Sequence, residues 1–562
     1  MKINKRLEAI LDVLLLLALF WAVRYWYSRH FGLYEDDLTI IPDAFQRSFS
    51  SLIGYIFIYI THFYGHARPL SDSSIYFFSW VGWHIAGLWG PYLLGYLITA
   101  INIGLFYWLM RRTAGRPFAL IAGLGYILYS ADTTQAFLTH SLGVQPSVLL
   151  ILLAMHAYLS NKRILAYVLA FVVLFSYELP FLLLVAAPLL KKKWDKALWK
   201  EMLWHTGILV VMLAAIYLFR TAIGEGRVSG LGLKDLVTTP FVHSLEGPFV
   251  SLGTFAYRPL QAIRGLNLEV GIAVLLAFGL FLWILSRLEV PTQVKLRDLW
   301  RAVRDPVTRH ALPEEVRALG RFFVVGAVML VMAYPLTFTV RAYALSGRDT
   351  RVHLAGVAGA AVLVAAVTFL FIYLTNGSRW RKVINVLIAM ELALLAGYGF
   401  IIQRDYVLAW QYQREFWTEL LPLIPDAGEG TVILVDPAAL HDTRQIGANY
   451  WNLPRVLMQL YTYPEDMKAL PVVHRLEKGW QSTLLAADGR IQVNAVTVYS
   501  VPDYYGEFDP QQVILIQAEN GRLVRRESVT LNGKIVSLKP TSALAVPPLP
   551  HAFLYHLMIG QP

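Results

Sequence analysis

The chain has 562 residues, of which 56% are hydrophobic, 13% aromatic and only 15% charged. Soluble domains carry charge on about a quarter of their residues, so this composition excludes an ordinary water-soluble globule. The absence of cysteine excludes disulfides, thiolate metal sites and a cysteine nucleophile. The net charge of +11 raises the question of a nucleic-acid partner, which the positions of the basic residues must decide.

The first element is an apolar run from Leu7 to Tyr27 that follows Lys2, Lys5 and Arg6. At 1.5 Å per residue it is long enough to cross about 30 Å of hydrocarbon. It is too long for a signal peptide, and no small-residue cleavage site follows it. We therefore expect a retained membrane span with a cytoplasmic N-terminus.

Eight further apolar runs follow. They lie at about 91–110, 117–131, 144–160, 200–220, 269–287, 320–340, 352–375 and 381–402. The region 163–190 is interpreted as two short spans, 163–176 and 179–190, because a single helix would place the basic clusters at its two ends on opposite sides of the membrane. Such short spans require protein or water around the turn between them. The expected fold is an α-helical polytopic membrane protein with about eleven spans.

Basic residues concentrate on the side that this topology places in the cytoplasm. The largest inner block, Arg287 to Arg321, holds eight of them. This bias is the positive-inside pattern of plasma (inner) membrane proteins. The excess of +11 is thus a signal of orientation, and the nucleic-acid interpretation loses its support.

The segment 403–562 is expected to be an extracytoplasmic α/β or α+β domain, with residues 1–402 forming the transmembrane domain. Thr431–Val435, Val493–Val501, Gln512–Gln517 and Ser528–Leu538 have the composition of strands, and Gln411–Leu421 that of a helix. The pair Asn532-Gly533 predicts a hairpin turn.

Residues 28–90 form a long first outer loop, which begins with Glu35-Asp36-Asp37. Its aromatic stretches Ser51–Tyr64 and Ile75–Trp89 are typical of helices at the membrane surface. Packed acids repel one another and favour a bound cation or a basic partner. The triplet is therefore either a general base, a metal site or a solvated start of the loop.

Other polar residues are expected on the same outer side: His66, Arg68, Asp132, Gln135, His140, Glu178, Arg341, Arg348, Asp349, Arg351 and His353. Three arginines within eleven residues, 341–351, indicate a phosphate site, since guanidinium groups bind phosphate bidentately. Anchoring to lipid headgroups is the alternative for a single arginine. Glu391, inside the last predicted span, is costly to bury and is a functional candidate on that ground.

The order of these features resembles the GT-C superfamily of membrane glycosyltransferases, which includes protein O-mannosyltransferases and aminoarabinose transferases. The resemblance covers about residues 1–400. Glu35-Asp36-Asp37 matches the acidic motif of the first outer loop, and Arg68-Pro69-Leu70 with Gly90-Pro91 is similar to the following segment. Ser176-Tyr177-Glu178-Leu179-Pro180 is similar to the acidic turn between two short spans.

This resemblance implies a GT-C-like enzyme of the cell envelope that transfers a hexosyl or pentosyl group from a polyprenyl-phosphate donor. The acceptor would be a glycan, a lipid or a protein at the outer membrane face. Asp36, with Asp37 and Glu35 as alternatives, would deprotonate the acceptor hydroxyl. Substrate-binding residues would be His66, Arg68, Asp132, His140, Glu178, Arg341, Arg348 and Arg351, with the arginines around the lipid phosphate. Some members use a divalent cation such as Mg²⁺ or Mn²⁺, for which Asp36 and Asp37 are the candidate ligands.

Two other functions compete with glycosyl transfer. A flippase or other transporter of lipid-linked saccharides would explain the many spans and Glu391. It accounts poorly for the acidic outer loop and the external domain, and the internal repeat common in transporters is absent from the sequence. The second rival is a non-catalytic membrane protein that binds polysaccharide through its outer domain.

Overall fold

The computed structural model describes residues 4–63, 67–191, 193–226, 232–288, 290, 292–305, 311–338, 341–448, 452–480, 490–493, 506–531, 533–542 and 549–560. Internal contacts divide the chain into two compact units. The first unit comprises Met1–His30 and Ser48–Arg404, and the second comprises Phe31–Arg47 and Asp405–Pro562. The sequence placed 31–47 in the transmembrane domain, whereas its contacts group it with the C-terminal residues.

The first unit is helical in the part of it that the structure describes. Its helices are α1 (Lys5–Tyr25), α3 (Phe49–His62), α4 (Pro69–Ala86), α5 (Trp89–Ala114), α6 (Arg116–Ile127), α7 (Leu138–Gly143), α8 (Gln145–Leu159), α9 (Arg163–Ser176), α10 (Lys196–Ala222), α11 (Leu233–Arg264), α12 (Leu268–Arg287), α13 (Leu296–Arg304), α14 (Glu314–Met332) and α15 (Val357–Thr375). Helix α2 (Asp37–Gln46) belongs to the second unit, and the boundary at 404–405 falls within α16 (Trp380–Leu420). 3₁₀ segments occur at Phe181–Ala186, Pro188–Leu190 and Arg348–Gly356.

Six helical segments among the described residues are long and apolar enough to cross a membrane. They are Trp89–Ala114, Leu138–Leu159, Lys196–Ala222, Leu268–Arg287, Arg348–Thr375 and Trp380–Leu423. The expected count of eleven spans is therefore not confirmed. α1 is helical as expected, but Glu8 and Asp12 interrupt its apolar run. Region 163–190 breaks after Ser176 as expected, although its second half forms 3₁₀ turns rather than an α-helix.

Helix α11 is absent from the sequence prediction, which treated its residues as loop. It contains Pro240, Pro248 and Pro259. Proline inside a helix removes a backbone donor and clashes with the preceding turn, so three of them argue against a helix of 32 residues. Other contacts compensate, such as the hydrogen bond between His243 Nδ1 and the Thr337 carbonyl at 2.6 Å.

Small residues allow close helix packing in the first unit. A methyl group added at Gly359 of α15 would lie 2.3 Å from the backbone nitrogen of Leu330 in α14. Gly326 lies on the facing side of α14, where a methyl group would meet Leu363. Close backbone approach of this kind is how helices associate when the surroundings are as apolar as the side chains.

The second unit is built on a mixed four-stranded sheet in the order β2-β1-β5-β6. Its strands are β1 (Val432–Val435), β2 (Val472–Arg475), β5 (Val513–Glu519) and β6 (Arg522–Arg526). β1 pairs in parallel with β2 and β5, and β5 pairs antiparallel with β6. α17 (Leu453–Leu460) connects β1 to β2. All four residues of β1 are buried, as a central strand requires.

Two small hairpins and a short helix complete the second unit. β3 (Ile491–Val493) pairs with β4 (Gly506–Phe508), β7 (Ser528–Leu531) pairs with β8 (Lys534–Ser537), and α18 (Phe553–Ile559) follows. The expected strands at 431–435 and 512–517 are confirmed, and the hairpin predicted within 528–538 is present. Most of the strand predicted at 493–501 lies outside the described residues, as does Asn532.

A buried ion pair joins β6 to the segment before β1. Arg525 Nη2 donates to Asp426 Oδ2 at 3.0 Å and Nη1 donates to Oδ1, and the two side chains are 5% and 3% exposed. Burial raises the pKa of the Asp426 carboxyl, but the hydrogen bonds and charge of Arg525 and the charge of Lys539 outweigh it, so the pKa is lowered. The folded unit therefore stabilises the ionised carboxylate.

We expect Asp426→Asn to destabilise the second unit by about 3 kcal/mol or more, because it leaves the Arg525 charge buried without a counter-charge. Hydrogen exchange of peptides from β1 and β5 in the full chain measures this change. The matched control is Glu519→Gln, which removes the partly exposed pair with Arg526 and should cost about 1 kcal/mol or less. Equal losses in the two variants would contradict the prediction.

The Asp426 contribution should also depend on pH. Since its folded-state pKa lies below the unfolded value of about 4, the stabilisation is fully present above that pH. It is lost as the pH falls through the lowered folded-state pKa. Exchange in Asp426→Asn should lack this acid-dependent step.

Candidate functional site

Glu178 lies in the turn that follows α9. The helix ends because Tyr177 takes an extended conformation and Leu179 precedes Pro180, which disfavours helical backbone at Leu179. The next residues, Phe181–Ala186, form a 3₁₀ segment. The turn thus projects a carboxylate at a break between two short apolar segments, as the sequence predicted.

Arg68 binds this carboxylate from the start of α4. Its Nε donates to Glu178 Oε2 at 2.9 Å and its Nη2 donates to Oε1, in a bidentate pair. Its guanidinium carbon also lies 4.3 Å from the ring centroid of Tyr177. The sequence singled out both Arg68 and Glu178, and the structure shows that they form one ion pair.

Arg220, near the end of α10, is the second partner of Glu178. Its Nη2 lies 3.3 Å from Glu178 Oε2 and donates to the Leu174 carbonyl at 3.0 Å. Burial raises the pKa of Glu178, but the charges of Arg68 and Arg220 outweigh it and hold the pKa well below its usual range. Glu178 is therefore ionised and fixes both guanidinium groups in place.

These side chains line a cavity of about 230 Å³. Its charged lining consists of Arg68, Glu178, Arg220, Glu225 and Arg351, so the cations exceed the anions by one. Apolar walls complete it and include Leu174, Leu213, Ile216, Leu336 and Phe338. A cavity lined by an excess of cations and by apolar side chains suits an amphiphile that has an anionic head and a hydrocarbon tail.

Asp132 and His140 meet around Thr134 in the segment after α6. Asp132 Oδ1 accepts hydrogen bonds from the backbone nitrogen and Oγ1 of Thr134, both at 2.8 Å, and His140 Nδ1 lies 2.9 Å from the same Oγ1. Burial raises the pKa of Asp132 to about 6. The hydrogen bonds from Thr134 and the charges of Arg24 and Arg351 lower this pKa, but by less than burial raises it. The segment is also tied to the one that carries Arg351, since the Thr133 backbone nitrogen donates to Thr350 Oγ1 at 3.1 Å.

The three arginines of segment 341–351 do not share one environment. Arg351 lines the cavity. Arg348 is half-buried in the same 3₁₀ segment, and Arg341 is exposed with its Nη1 3.2 Å from the Tyr343 hydroxyl. Of the arginines predicted to bind phosphate, Arg351 and Arg68 line the cavity, and Arg220, which was not predicted, lines it with them.

The acidic triplet lies in the second unit, at the start of α2. Glu35 has φ +53°, a left-handed conformation that is uncommon for a residue with a side chain, and its carbonyl accepts a hydrogen bond from Asn452 Nδ2 at 3.0 Å. Glu35 and Asp37 are buried, whereas Asp36 is half-buried. Asp36 is thus the carboxylate of the three with the most access to solvent.

Some predicted site residues have other outcomes. His66 lies outside the described residues. His353 is fully buried, with its Nδ1 2.9 Å from Tyr334 Oη and its Nε2 2.8 Å from the Ala344 carbonyl oxygen. In the described part of the chain, no group of three or more His, Asp or Glu side chains is placed to hold a metal ion.

Arg220 and Glu225 are site residues that the sequence analysis missed. Arg220 closes the apolar run 200–220 at the end predicted to lie outside. A basic residue there departs from the positive-inside pattern, and this departure was the available signal. Glu225 follows Gly224, which has φ +72°, and its side chain is buried in the cavity lining.

No protein-family model matches the chain, and the search of curated proteins gives no match. Among solved structures, the chain is similar to ArnT from Cupriavidus metallidurans, in a crystal structure bound to undecaprenyl phosphate. The identity is 15%, the match covers 77% of this chain and 83% of that chain, and the TM-score is 0.30. We therefore base the functional assignment on the side chains of this chain.

Proposed function

We propose that this chain is a membrane glycosyltransferase that moves a sugar from a polyprenyl-phosphate donor to an acceptor at the outer face of the membrane. The observation that carries the proposal is the cavity of the first unit, which is lined by three arginines and by apolar side chains. The lipid phosphate would lie against the arginines, and the first isoprene units would lie against the apolar side chains. Six candidate membrane helices are in keeping with a lipid substrate.

The arginines would serve the leaving group. When the bond between the anomeric carbon and the phosphate oxygen breaks, negative charge develops on the lipid phosphate. Guanidinium groups that are already fixed by Glu178 stabilise that charge without reorganising during the reaction. Since Glu178 neutralises only part of the positive charge, the cavity keeps a net attraction for an anion.

Asp36 is our choice for the general base that removes the proton from the acceptor hydroxyl. The choice over Glu35 and Asp37 is supported by burial, because those two carboxylates are enclosed and Asp36 is half-buried. A base must reach the hydroxyl that it deprotonates, either directly or through one water molecule. The proton would pass to Asp36 as the acceptor oxygen attacks the anomeric carbon and the lipid phosphate leaves.

We expect Asp36→Asn to lower the turnover number by about 10²–10⁴-fold, the usual contribution of a general base. The assay uses purified full-length protein and a radiolabelled prenyl-phosphate sugar, with Asp37→Asn and Glu35→Gln measured in parallel. Size-exclusion chromatography establishes that each variant is folded. Full transfer by all three variants would refute the assignment of the base. Lipid movement between leaflets without sugar transfer by the wild type would favour the flippase.

We expect Arg351→Gln to raise the KM for the prenyl-phosphate donor by about ten- to a hundredfold, the cost of losing a charged hydrogen bond. Arg341→Gln is the matched control, because Arg341 belongs to the same segment but is exposed and contacts Tyr343. Its KM should stay within about threefold of wild type, since exposed charges contribute little. Equal KM changes in the two variants would contradict the proposal that the lipid phosphate binds in this cavity.

The orientation is tested separately. The positive-inside pattern predicts that an alkaline phosphatase fused after residue 562 is active, because that reporter functions only outside the cytoplasm. If a cytoplasmic reporter is active at the same position and the phosphatase is inactive, this end of the chain lies in the cytoplasm. The predicted orientation would then be wrong, and the proposed reaction could not take place at the outer face.

A further inference from the structure

Helix α13, Leu296–Arg304, has an amphipathic pattern that the proposed glycosyl transfer does not use. At 100° per residue, Leu296, Leu299 and Trp300 share one side of the helix. Arg297, Arg301 and Arg304 follow on the adjacent side, and Lys295 precedes the helix. An apolar strip next to a basic strip is the pattern of helices that lie in a membrane interface.

Two of the three apolar side chains are exposed in the structure, and the third, Leu299, is half-buried. Leu296 and Trp300 are 69% and 61% exposed. Ala302, on another side of the helix, is buried, so α13 packs on the protein through that side. The guanidinium carbon of Arg304 lies 4.8 Å from the ring centroid of Trp300, which places a cation beside the exposed aromatic ring.

The contacts of the preceding segment fix the place at which α13 begins. α12, a candidate membrane span, ends at Arg287. Residues 292–294 then contact the end of a second candidate span, Arg348–Thr375: the Val294 nitrogen donates to the Tyr373 carbonyl at 3.2 Å. Asn376 Nδ2 donates to the Thr292 carbonyl at 3.2 Å. Since α13 starts directly after this segment, it lies beside the ends of two spans.

We propose that α13 binds the anionic phospholipid surface of the membrane. Leu296 and Trp300 would enter the boundary between headgroups and acyl chains, and Arg297, Arg301 and Arg304 would pair with lipid phosphates. Exposed leucine and tryptophan side chains at the end of a span can enter the membrane interface, where tryptophan is enriched. The basic strip makes the surface selective for anionic lipids over neutral ones.

The absence of cysteine makes the test direct, because Leu296→Cys can be labelled at one position in the full chain. The labelled protein is reconstituted into phosphatidylcholine vesicles with and without phosphatidylglycerol. Access of the neutral quencher acrylamide to the fluorophore is then measured. We expect quenching to fall when phosphatidylglycerol is present. Each arginine changed to glutamine should weaken the anionic-lipid effect by about fivefold.

One control separates membrane binding from other causes. The combined variant Arg297→Gln, Arg301→Gln and Arg304→Gln, labelled at Leu296→Cys, should lose the dependence on phosphatidylglycerol. Equal protection in the two vesicle types, or protection that survives the loss of the arginines, would overturn the proposal. Protection that survives the loss of the arginines would indicate that a protein surface covers the apolar strip of α13.

Discussion

An ionised side chain removed from water requires a partner of opposite charge, and the cavity of the first unit depends on this requirement. Glu178 is 14% exposed and is held by Arg68 and Arg220, which come from two other parts of the chain. The start of α4, the turn after α9 and the end of α10 therefore meet at one carboxylate. Removing that carboxylate would leave two guanidinium groups without their shared counter-charge, and the three elements would lose the contact that joins them.

The same requirement acts at Asp12 of α1. Its carboxylate accepts a hydrogen bond from the Tyr107 hydroxyl at 2.5 Å and pairs with Arg116, whose Nε lies at 2.8 Å. These contacts join α1 to α5 and to the beginning of α6. Charged side chains inside the apolar helices of this unit thus join neighbouring helices through ion pairs and hydrogen bonds. For this reason a count of spans by hydropathy alone does not describe α1.

Much of the secondary structure could be predicted from the sequence, because helix and strand periodicities are local. The break at Ser176, the buried strand β1 and the hairpin of β7 and β8 were all expected. α11 was not, because its three prolines argue locally against a helix that tertiary contacts maintain. β2 and β6 were also missed. β6 has the sequence Arg-Leu-Val-Arg-Arg, and its charged residues gave no apolar strand signal.

The site was less predictable than the fold. Arg68 and Glu178 were chosen for their residue types and expected membrane side, but their pairing joins residues 110 positions apart, and a single sequence does not reveal such a contact. Arg220 was missed because an arginine at the end of an apolar run ordinarily anchors a helix. The grouping of Glu35, Asp36 and Asp37 with the C-terminal unit was equally invisible, since it depends on contacts such as that of Asn452.

That grouping has a consequence for the order in which the chain can fold. The hydrogen bond from Asn452 to Glu35 joins residues 417 positions apart, so Phe31–Arg47 leaves the ribosome long before its partners exist. During that interval Leu38, Ile41 and Phe45 of α2 have no core to enter, although all three are buried in the finished unit. Closing so long a loop is slow. The second unit can therefore be completed only after the helices encoded between its two parts have been made.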